Sequence, residues 1–267
     1  VHVVRDQNSV CFVCVAYRPM ERQDPTSSIE IGGACDIMFN PMALPLETHY
    51  WKAENVIVIF TGTESNPVWL ETNFKVWKYP LNEKDHGLAG HTHYGYGKML
   101  DGMWPQIEQG LRDSHNPKPY EYLRSVIENG TTVWVLGHSL GGALATLCAA
   151  RIQALIKSLA GGINMHAYTP PLRLSTIGAP PCLDKVAKDC YKNLPIVVDR
   201  ICFGRDLVVA MPPKWLCGFE HIGWSKVIVE AKDDDGTDYI VRSDRSVGWL
   251  TRACTLSWRQ LKWVCTG

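Results

Sequence analysis

Hydrophobic and polar positions along the chain predict strands that alternate with helices. Residues 55–60 form a continuous apolar run, which is typical of a strand buried on both faces. Apolar residues recur at helical spacing over 98–112, so this segment is predicted to form an amphipathic helix. Three further strands are predicted at residues 133–136, 172–180 and 195–203. One long helix is predicted at residues 140–159. This alternation favours an α/β fold with a mostly parallel central sheet and helices on both faces.

The last part of the chain has a different pattern. Short β-favouring runs at 226–230 and 239–242 flank the turn residues 234–236, which predicts a C-terminal hairpin. No linker, repeat or low-complexity tract divides the sequence. We therefore interpret residues 1–267 as a single α/β domain.

The balance of charges and the apolar runs limit the kinds of molecule that the chain is expected to bind. The chain has 27 Lys and Arg and 27 Asp and Glu, so its formal net charge is zero. This balance argues against nucleic acid or an anionic membrane as the main partner. The longest apolar candidate, around residues 140–156, contains Arg151 and Gln153, so no transmembrane segment is predicted.

The cysteine content bears on the compartment. Ten cysteines are many for a cytosolic enzyme of this size, and the even count is compatible with disulfides. Cys182 with Cys190, and Cys254 with Cys265, are candidate local bridges. We therefore expect a secreted or lumenal protein, with a cytoplasmic location as the alternative.

One turn between a predicted strand and a predicted helix contains a candidate catalytic serine. Residues 137–141 read Gly-His-Ser-Leu-Gly, the pattern of a nucleophile elbow, in which a strained turn presents the Ser139 hydroxyl above the sheet. Gly137 and Gly141 are expected because a Cβ at either position would collide with the neighbouring strand or helix. Ser139 is therefore the candidate nucleophile.

A serine nucleophile needs a base and an acid, and the order of residues narrows the choice. In sheets with such an elbow the acid and the histidine follow the serine in that order. His221 lies downstream in a suitable loop, and Asp206 follows the strand at 195–203, close to the expected rim. The predicted triad is Ser139, Asp206 and His221, with Asp184, Asp189 and Asp199 as the less favoured candidates for the acid.

A serine hydrolase site also needs hydrogen-bond donors for the oxyanion that forms on the substrate. Leu140 and Thr63 are the candidate donors of an oxyanion hole, since one follows the serine and the other lies in the turn after a neighbouring strand. His91 and His93 raise the alternative of a zinc site, but no nearby cysteine or carboxylate completes it by spacing. We expect a structural role for them, and no metal or other cofactor.

These residues together resemble the class 3 lipase family, the fungal-lipase-like branch of the α/β-hydrolases. The matching segments, in family order, are residues 58–63, 93–96, 137–145, 177–180, 200–213 and 219–223. The resemblance implies an α/β-hydrolase fold, the triad and oxyanion hole named above, and hydrolysis of carboxylic esters without a cofactor. It also implies a mobile lid over 65–74, whose apolar face and acyl groove would include Val68, Trp69 and Leu70. The chain departs from the family pattern at Thr61, where arginine is usual, and at Phe203, where asparagine is frequent.

The leading hypothesis is a serine ester hydrolase, EC class 3.1.1, that acts as a lipase on acylglycerols or related lipid esters and makes transient contact with a lipid interface. A phospholipase A1 and a feruloyl-type esterase are the alternatives within this class. A lipase-like protein that binds a ligand for signalling, without turnover, is the alternative outside it.

Overall fold

The computed structural model describes residues 2–6, 9–19, 51–62, 77–112, 120, 123, 132–160, 172–203, 206–233 and 236–244. Within these ranges the strands are β1 (His2–Asp6), β2 (Ser9–Pro19), β3 (Trp51–Phe60), β4 (Lys78–Leu81), β5 (Gly90–His93), β6 (Thr132–His138), β7 (Leu172–Ile177), β8 (Ile196–Phe203), β9 (Ser225–Asp233) and β10 (Gly236–Asp244). The helices are α1 (Glu83–His86), α2 (Tyr94–Leu111), α3 (Leu140–Leu159), α4 (Lys185–Tyr191) and α5 (Lys214–Cys217), and Val208–Ala210 forms a 3-10 turn.

Eight of these strands form one sheet in the order β1-β2-β3-β6-β7-β8-β9-β10. The five neighbouring strands from β3 to β9 run parallel, whereas β1, β2 and β10 are antiparallel to their neighbours. β9 and β10 pair from Asp233 opposite Gly236, which is the predicted C-terminal hairpin. The prediction of a mostly parallel sheet with this hairpin is confirmed.

One face of the sheet packs on the two long helices. Val56 and Val58 of β3 and Val133 and Val135 of β6 are fully buried and share one core with α2 and α3. The alternate residues of these strands are half-buried. Because successive side chains point to opposite faces, this alternation shows which face meets the helices.

Helix α3 lies directly behind the turn that carries Ser139. Its first three turns are buried on nearly all sides, and small residues such as Ala143 and Ala149 let it approach the sheet closely. Among the described residues it is the one helix long and apolar enough to cross a membrane, and most of it is buried inside the protein. Its burial identifies it as a core helix.

An ionic cluster joins α2 to α3. Asp101 on α2 accepts a hydrogen bond from Arg151 on α3 at 2.5 Å and one from the Tyr79 hydroxyl, and His86 Nε2 lies 3.3 Å away. Partial burial raises the pKa of Asp101, but the hydrogen bonds from these groups outweigh it and hold the pKa well below its ordinary value. The same hydrogen bond to Asp101 is the main reason that the pKa of Tyr79 is raised to about 12.

A small second sheet completes the described fold. β4 and β5 pair antiparallel, and a single bridge from Thr92 continues to Leu183, which in turn bridges to Glu220. Neither strand has a pattern that predicts it, because four residues are too few for a periodicity. Through the two bridges of Leu183, the small sheet is connected both to the start of α4 and to the segment that holds Glu220.

The disulfide expectation is wrong for one of the two pairs. Cys182 and Cys190 are both free. Cys182 is buried in the core next to Thr146, whereas Cys190 lies at the end of α4 and is only half-buried. Cys254 and Cys265 lie outside the described residues. Burial raises the pKa of the Cys182 thiol to about 12. The six cysteines that are described as free give no support to a secreted or lumenal location, which stays a prediction.

Candidate active site

Ser139 occupies the turn between β6 and α3 with a backbone conformation that few residues adopt. Its φ is 53° and its ψ is −127°, and it is one of two described residues other than glycine with a positive φ. Its N–H donates to the carbonyl of Ile177 at 2.9 Å, and its own carbonyl accepts from Gly142 at 2.9 Å. A serine held in this strained turn at the carboxyl end of a parallel strand has the geometry of a nucleophile elbow.

Two glycines make this turn possible. A Cβ on Gly137 would lie 2.2 Å from the carbonyl oxygen of Gly141. A Cβ on Gly141 would lie 2.2 Å from the carbonyl oxygen of Thr61, which follows β3. Neither backbone group can move without displacing a strand or the helix, so only glycine fits at both positions.

The turn after β3 passes beside the serine. A Cβ built on Gly62 would lie 3.4 Å from the Ser139 Cβ and 3.1 Å from Nδ1 of His138. The next residue, Thr63, lies outside the described residues, as do Val68, Trp69 and Leu70. Leu140 is the first residue of α3, so its N–H is among the first four of the helix and has no acceptor within it.

Asp206 lies next to the same turn as Ser139. Its Oδ2 would be 2.8 Å from a Cβ on Gly178, the residue that follows Ile177 at the end of β7. Gly178 has a φ of 61° and donates to the carbonyl of Ile201 in β8. The other carboxylate oxygen, Oδ1, accepts from the N–H of Val208 at 2.9 Å. The end of β7 thus contacts the backbone of Ser139 on one side and the carboxylate of Asp206 on the other.

His221 lies against the loop that begins at Asp206. Its Nε2 is 2.7 Å from the carbonyl oxygen of Val209, which lies in the 3-10 turn three residues after Asp206. A carbonyl only accepts, so Nε2 is the nitrogen that carries hydrogen in this contact. In a neutral imidazole the proton-accepting nitrogen is then Nδ1.

Glu220, the residue before His221, forms ion pairs with two lysines. Lys188 of α4 and Lys214 of α5 place their Nζ atoms 2.7 Å and 3.1 Å from the two carboxylate oxygens of Glu220. Partial burial raises the pKa of Glu220, but the hydrogen bonds from both lysines outweigh it and lower the pKa below its ordinary value. No sequence signal identifies this cluster, since Lys188 is 32 residues away from Glu220.

The two histidines of β5 have packing and pairing roles. His93 is fully buried, stacks on Tyr96 with ring centroids 4.1 Å apart, and contacts Phe219. His91 pairs with Asp184 at 3.0 Å, while Asp184 also caps the start of α4. Across the ranges that the structure covers, no three histidine, cysteine or acidic side chains are grouped to hold a metal ion.

An apolar rim lies at the end of β8 and on the segment between Asp206 and His221. We use this name for four exposed side chains, Phe203, Met211, Trp215 and Leu216. Trp215 and Leu216 on α5 are 71% and 66% exposed, which is unusual for such large hydrophobic groups. Val209, in the same segment, points inward and is buried.

The chain is similar to a known family. A family model described as lipase (class 3) matches residues 57–215, which is more than half of the chain. No curated protein sequence matches it.

Solved structures of fungal lipases have a similar fold. A lipase–propeptide complex from Rhizomucor miehei matches with a TM-score of 0.50 and 22% identity, over 72% of this chain and 53% of that chain. The Rhizomucor miehei triacylglyceride lipase matches with a TM-score of 0.54 and 20% identity, over 76% and 68%. A triacylglycerol lipase described as having a serine protease triad matches with a TM-score of 0.51 and 21% identity, over 70% and 61%.

At these identities the matches establish the fold, which is that of the α/β-hydrolase lipases. The chain spans about half the length of the propeptide-containing lipase chain that it matches.

Proposed function

The chain belongs to the class 3 lipase family, and we propose that it is a serine carboxylic ester hydrolase that acts on acylglycerols or related lipid esters. The observation that carries this proposal is Ser139, held at a positive φ between β6 and α3, beside a turn that also contacts the Asp206 carboxylate. This arrangement suits acyl transfer to a serine hydroxyl.

The proposed reaction has two halves. Ser139 Oγ attacks the ester carbonyl while His221 takes its proton, and His221 then returns that proton to the departing alcohol. Water next attacks the acyl-enzyme, His221 accepts a proton from it, and the fatty acid leaves as Ser139 regains its hydrogen. Asp206 holds the imidazole in the required tautomer and stabilises its protonated form.

The proposed cycle needs one ring nitrogen of His221 to face Ser139. The Nε2 of His221 donates to the carbonyl of Val209 in the structure. If Nε2 is to face Ser139, this bond has to break or the ring has to turn. Catalytic hydrogen bonds are frequently incomplete without substrate and tighten once it is bound.

Developing negative charge on the substrate oxygen needs two donors. We propose the N–H of Leu140, at the start of α3, as one and Thr63 as the other. The closeness of Gly62 to the Ser139 side chain supports the second assignment, because Thr63 is the next residue along the chain. The loss of one such donor costs about 3 kcal/mol of transition-state stabilisation.

The apolar rim supports a lipid rather than a small polar ester. A substrate held in an aggregate requires that the protein contact the lipid surface, and exposed tryptophan and leucine side chains favour such contact. We propose that the rim and a lid carrying Val68, Trp69 and Leu70 together meet the lipid interface. The Rhizomucor miehei protein with the same fold is described as a triacylglyceride lipase.

A fluorophosphonate probe tests the chemistry. The wild-type protein should become labelled at Ser139, and labelling should disappear in Ser139→Ala and fall sharply in His221→Ala. Ser158→Ala, on the exposed side of α3, is the matched control and should label like the wild type. A folded wild-type protein without labelling would favour the ligand-binding alternative.

A graded ester series tests the substrate class. Hydrolysis is measured on short soluble esters and on long-chain triacylglycerol, phospholipid and feruloyl esters, the insoluble ones as emulsions. Trp215→Ser should lower the rate on emulsions several-fold and leave the soluble ester rate unchanged, while Val186→Ser on α4 should change neither. Equal rates of Trp215→Ser and wild type on emulsions would remove the rim from the proposal.

A further inference from the structure

The segment around His221 is bounded by two glycines. Gly218 and Gly223 have φ values of 74° and 64°, in the left-handed region where glycine is the residue that adapts most easily. Between them, Phe219 and Ile222 are buried. His221 therefore lies on a short segment that is anchored by its neighbours and flanked by two adaptable backbone positions.

The backbone of Glu220 provides one anchor. Its N–H donates to the carbonyl of Leu183 at 2.7 Å, which attaches the segment to the small sheet. Leu183 is itself fully buried and bridges to Thr92 of β5. Through Leu183, the His221 segment is therefore tied to β5.

The side chain of Glu220 provides a second anchor. Its carboxylate binds Lys188 of α4 with one oxygen and Lys214 of α5 with the other. The side chains of Glu220 and Lys188 are only 14% and 24% exposed, so this pair is partly shielded from water, whereas Lys214 is 69% exposed. Shielded charges attract more strongly than exposed ones, so Lys188 should contribute more.

We propose that Glu220 is a positioning residue that clamps the His221 segment between α4 and α5 so that the imidazole reaches Ser139. The inference rests on the proposed function. Glu220 touches no reacting atom in this scheme and acts through His221 alone. Loss of the clamp should therefore slow the chemical step and leave substrate binding unchanged, because small displacements of a catalytic group reduce rate steeply.

The test is a double-mutant cycle on the full chain. Glu220→Gln, Lys188→Met and the double variant are assayed on a short soluble ester, which avoids any effect of a lipid interface. Each single variant should lower kcat about tenfold with KM changed less than twofold. The double variant should lose no more than the singles, because both substitutions break the same contact. Lys214→Met should lower kcat by less.

A matched control separates position from stability. Asp189 on α4 also binds two lysines, Lys185 at 2.8 Å and Lys192 at 2.7 Å, but not the His221 segment. Asp189→Asn should keep the wild-type kcat. The melting temperature and the rate of fluorophosphonate labelling are measured for every variant, and labelling should slow in parallel with kcat.

The outcomes distinguish the two proposals. An active wild type with an unchanged kcat in Glu220→Gln would overturn this inference alone, as would losses in the double variant equal to the product of the singles. A folded wild type that neither hydrolyses an ester nor becomes labelled would overturn the proposed function and this inference together. If Glu220→Gln fails to fold, Lys188→Met carries the same test from the other side of the contact.

Discussion

Ser139 lies where backbone contacts fix the geometry, whereas His221 lies on a segment that ion pairs and a few hydrogen bonds hold in place. Around the serine, glycines allow β6, α3 and the end of β3 to approach so closely that an added methyl would meet a carbonyl oxygen at 2.2 Å. Around the histidine, the buried side chains of Phe219 and Ile222 pack inward, and ion pairs from Lys188 and Lys214 and a backbone bridge at Leu183 add to this packing.

This difference teaches how each region responds to change. Steric contacts in a dense core do not relax, so a substitution near Ser139 should damage the fold itself. Ion pairs near the surface contribute little to stability, so a substitution near His221 should change position and rate first. The elbow is therefore expected to show large effects on stability, and the histidine segment large effects on kcat.

The largest effect is expected where the two regions meet, at Asp206. Asp206→Asn should lower kcat about 10⁴-fold, equivalent to about 5.5 kcal/mol, because the amide cannot hold His221 in the tautomer that the reaction requires. The free energy of unfolding should change by less than about 1 kcal/mol, since Asn can still accept from Val208. Single-turnover kinetics and urea denaturation measure the two quantities. Retention of a tenth of the activity would remove Asp206 from the triad.

A smaller but purely structural effect is expected at Gly141. Gly141→Ala should destabilise the protein by about 3 kcal/mol or more, because the new Cβ meets the carbonyl oxygens of Thr61 and Phe60. Gly102→Ala on α2 is the matched control. Nothing lies within 4 Å of a Cβ there, so alanine should stabilise the helix by about 0.5–1 kcal/mol. Equal stabilities of the two variants in urea would contradict the steric account of the elbow.

The smallest effect is expected from the ionic cluster behind the elbow. Asp101→Asn should lower stability at pH 7 by about 2 kcal/mol and leave kcat unchanged, since the cluster ties α2 to α3 and touches none of the triad. The pKa of Asp101 is lowered in the folded state, so its contribution is complete above the ordinary value of 3.8 and is lost as the pH falls through the folded value. The difference between the two proteins should therefore shrink below about pH 4 in thermal unfolding. A difference that stays constant to pH 2.5 would assign the effect to packing.

The two regions also differ in how far the sequence predicts them. The helix predicted at 140–159 and the strand at 55–60 lie within α3 and β3, because long apolar runs bounded by turn residues specify them locally. Helix α2 begins at Tyr94, four residues before the predicted start. Glycine weakens helices, so Gly97 argues against a helix at this point of the sequence. In the structure Gly97 packs against the Tyr79 ring, and a Cβ there would lie 2.6 Å from a ring carbon.

The contacts that hold the His221 segment could not be predicted from the sequence in the same way. Glu220 is brought to Lys188 and Leu183 by the tertiary fold, and no spacing along the chain indicates these contacts. Elements of four residues, such as α5 and β4, carry no period that a pattern could detect. The catalytic roles of Ser139, Asp206 and His221 and the single domain over residues 1–267 stay predictions. So do the remaining assignments, which are the oxyanion-hole donors and the residues of the lid and acyl groove: Thr63, Leu140, Val68, Trp69 and Leu70.

The separation of Ser139 and His221 along the chain has a consequence during synthesis. The proposed nucleophile leaves the ribosome more than eighty residues before its proposed base, which at about 5–20 residues per second is roughly 4–16 s. During that interval the elbow strand and its helix can form from contiguous residues, but the hydroxyl has no imidazole to activate it. Under the proposed mechanism, a nascent chain of this kind would be inert toward esters until its later strands have joined the sheet.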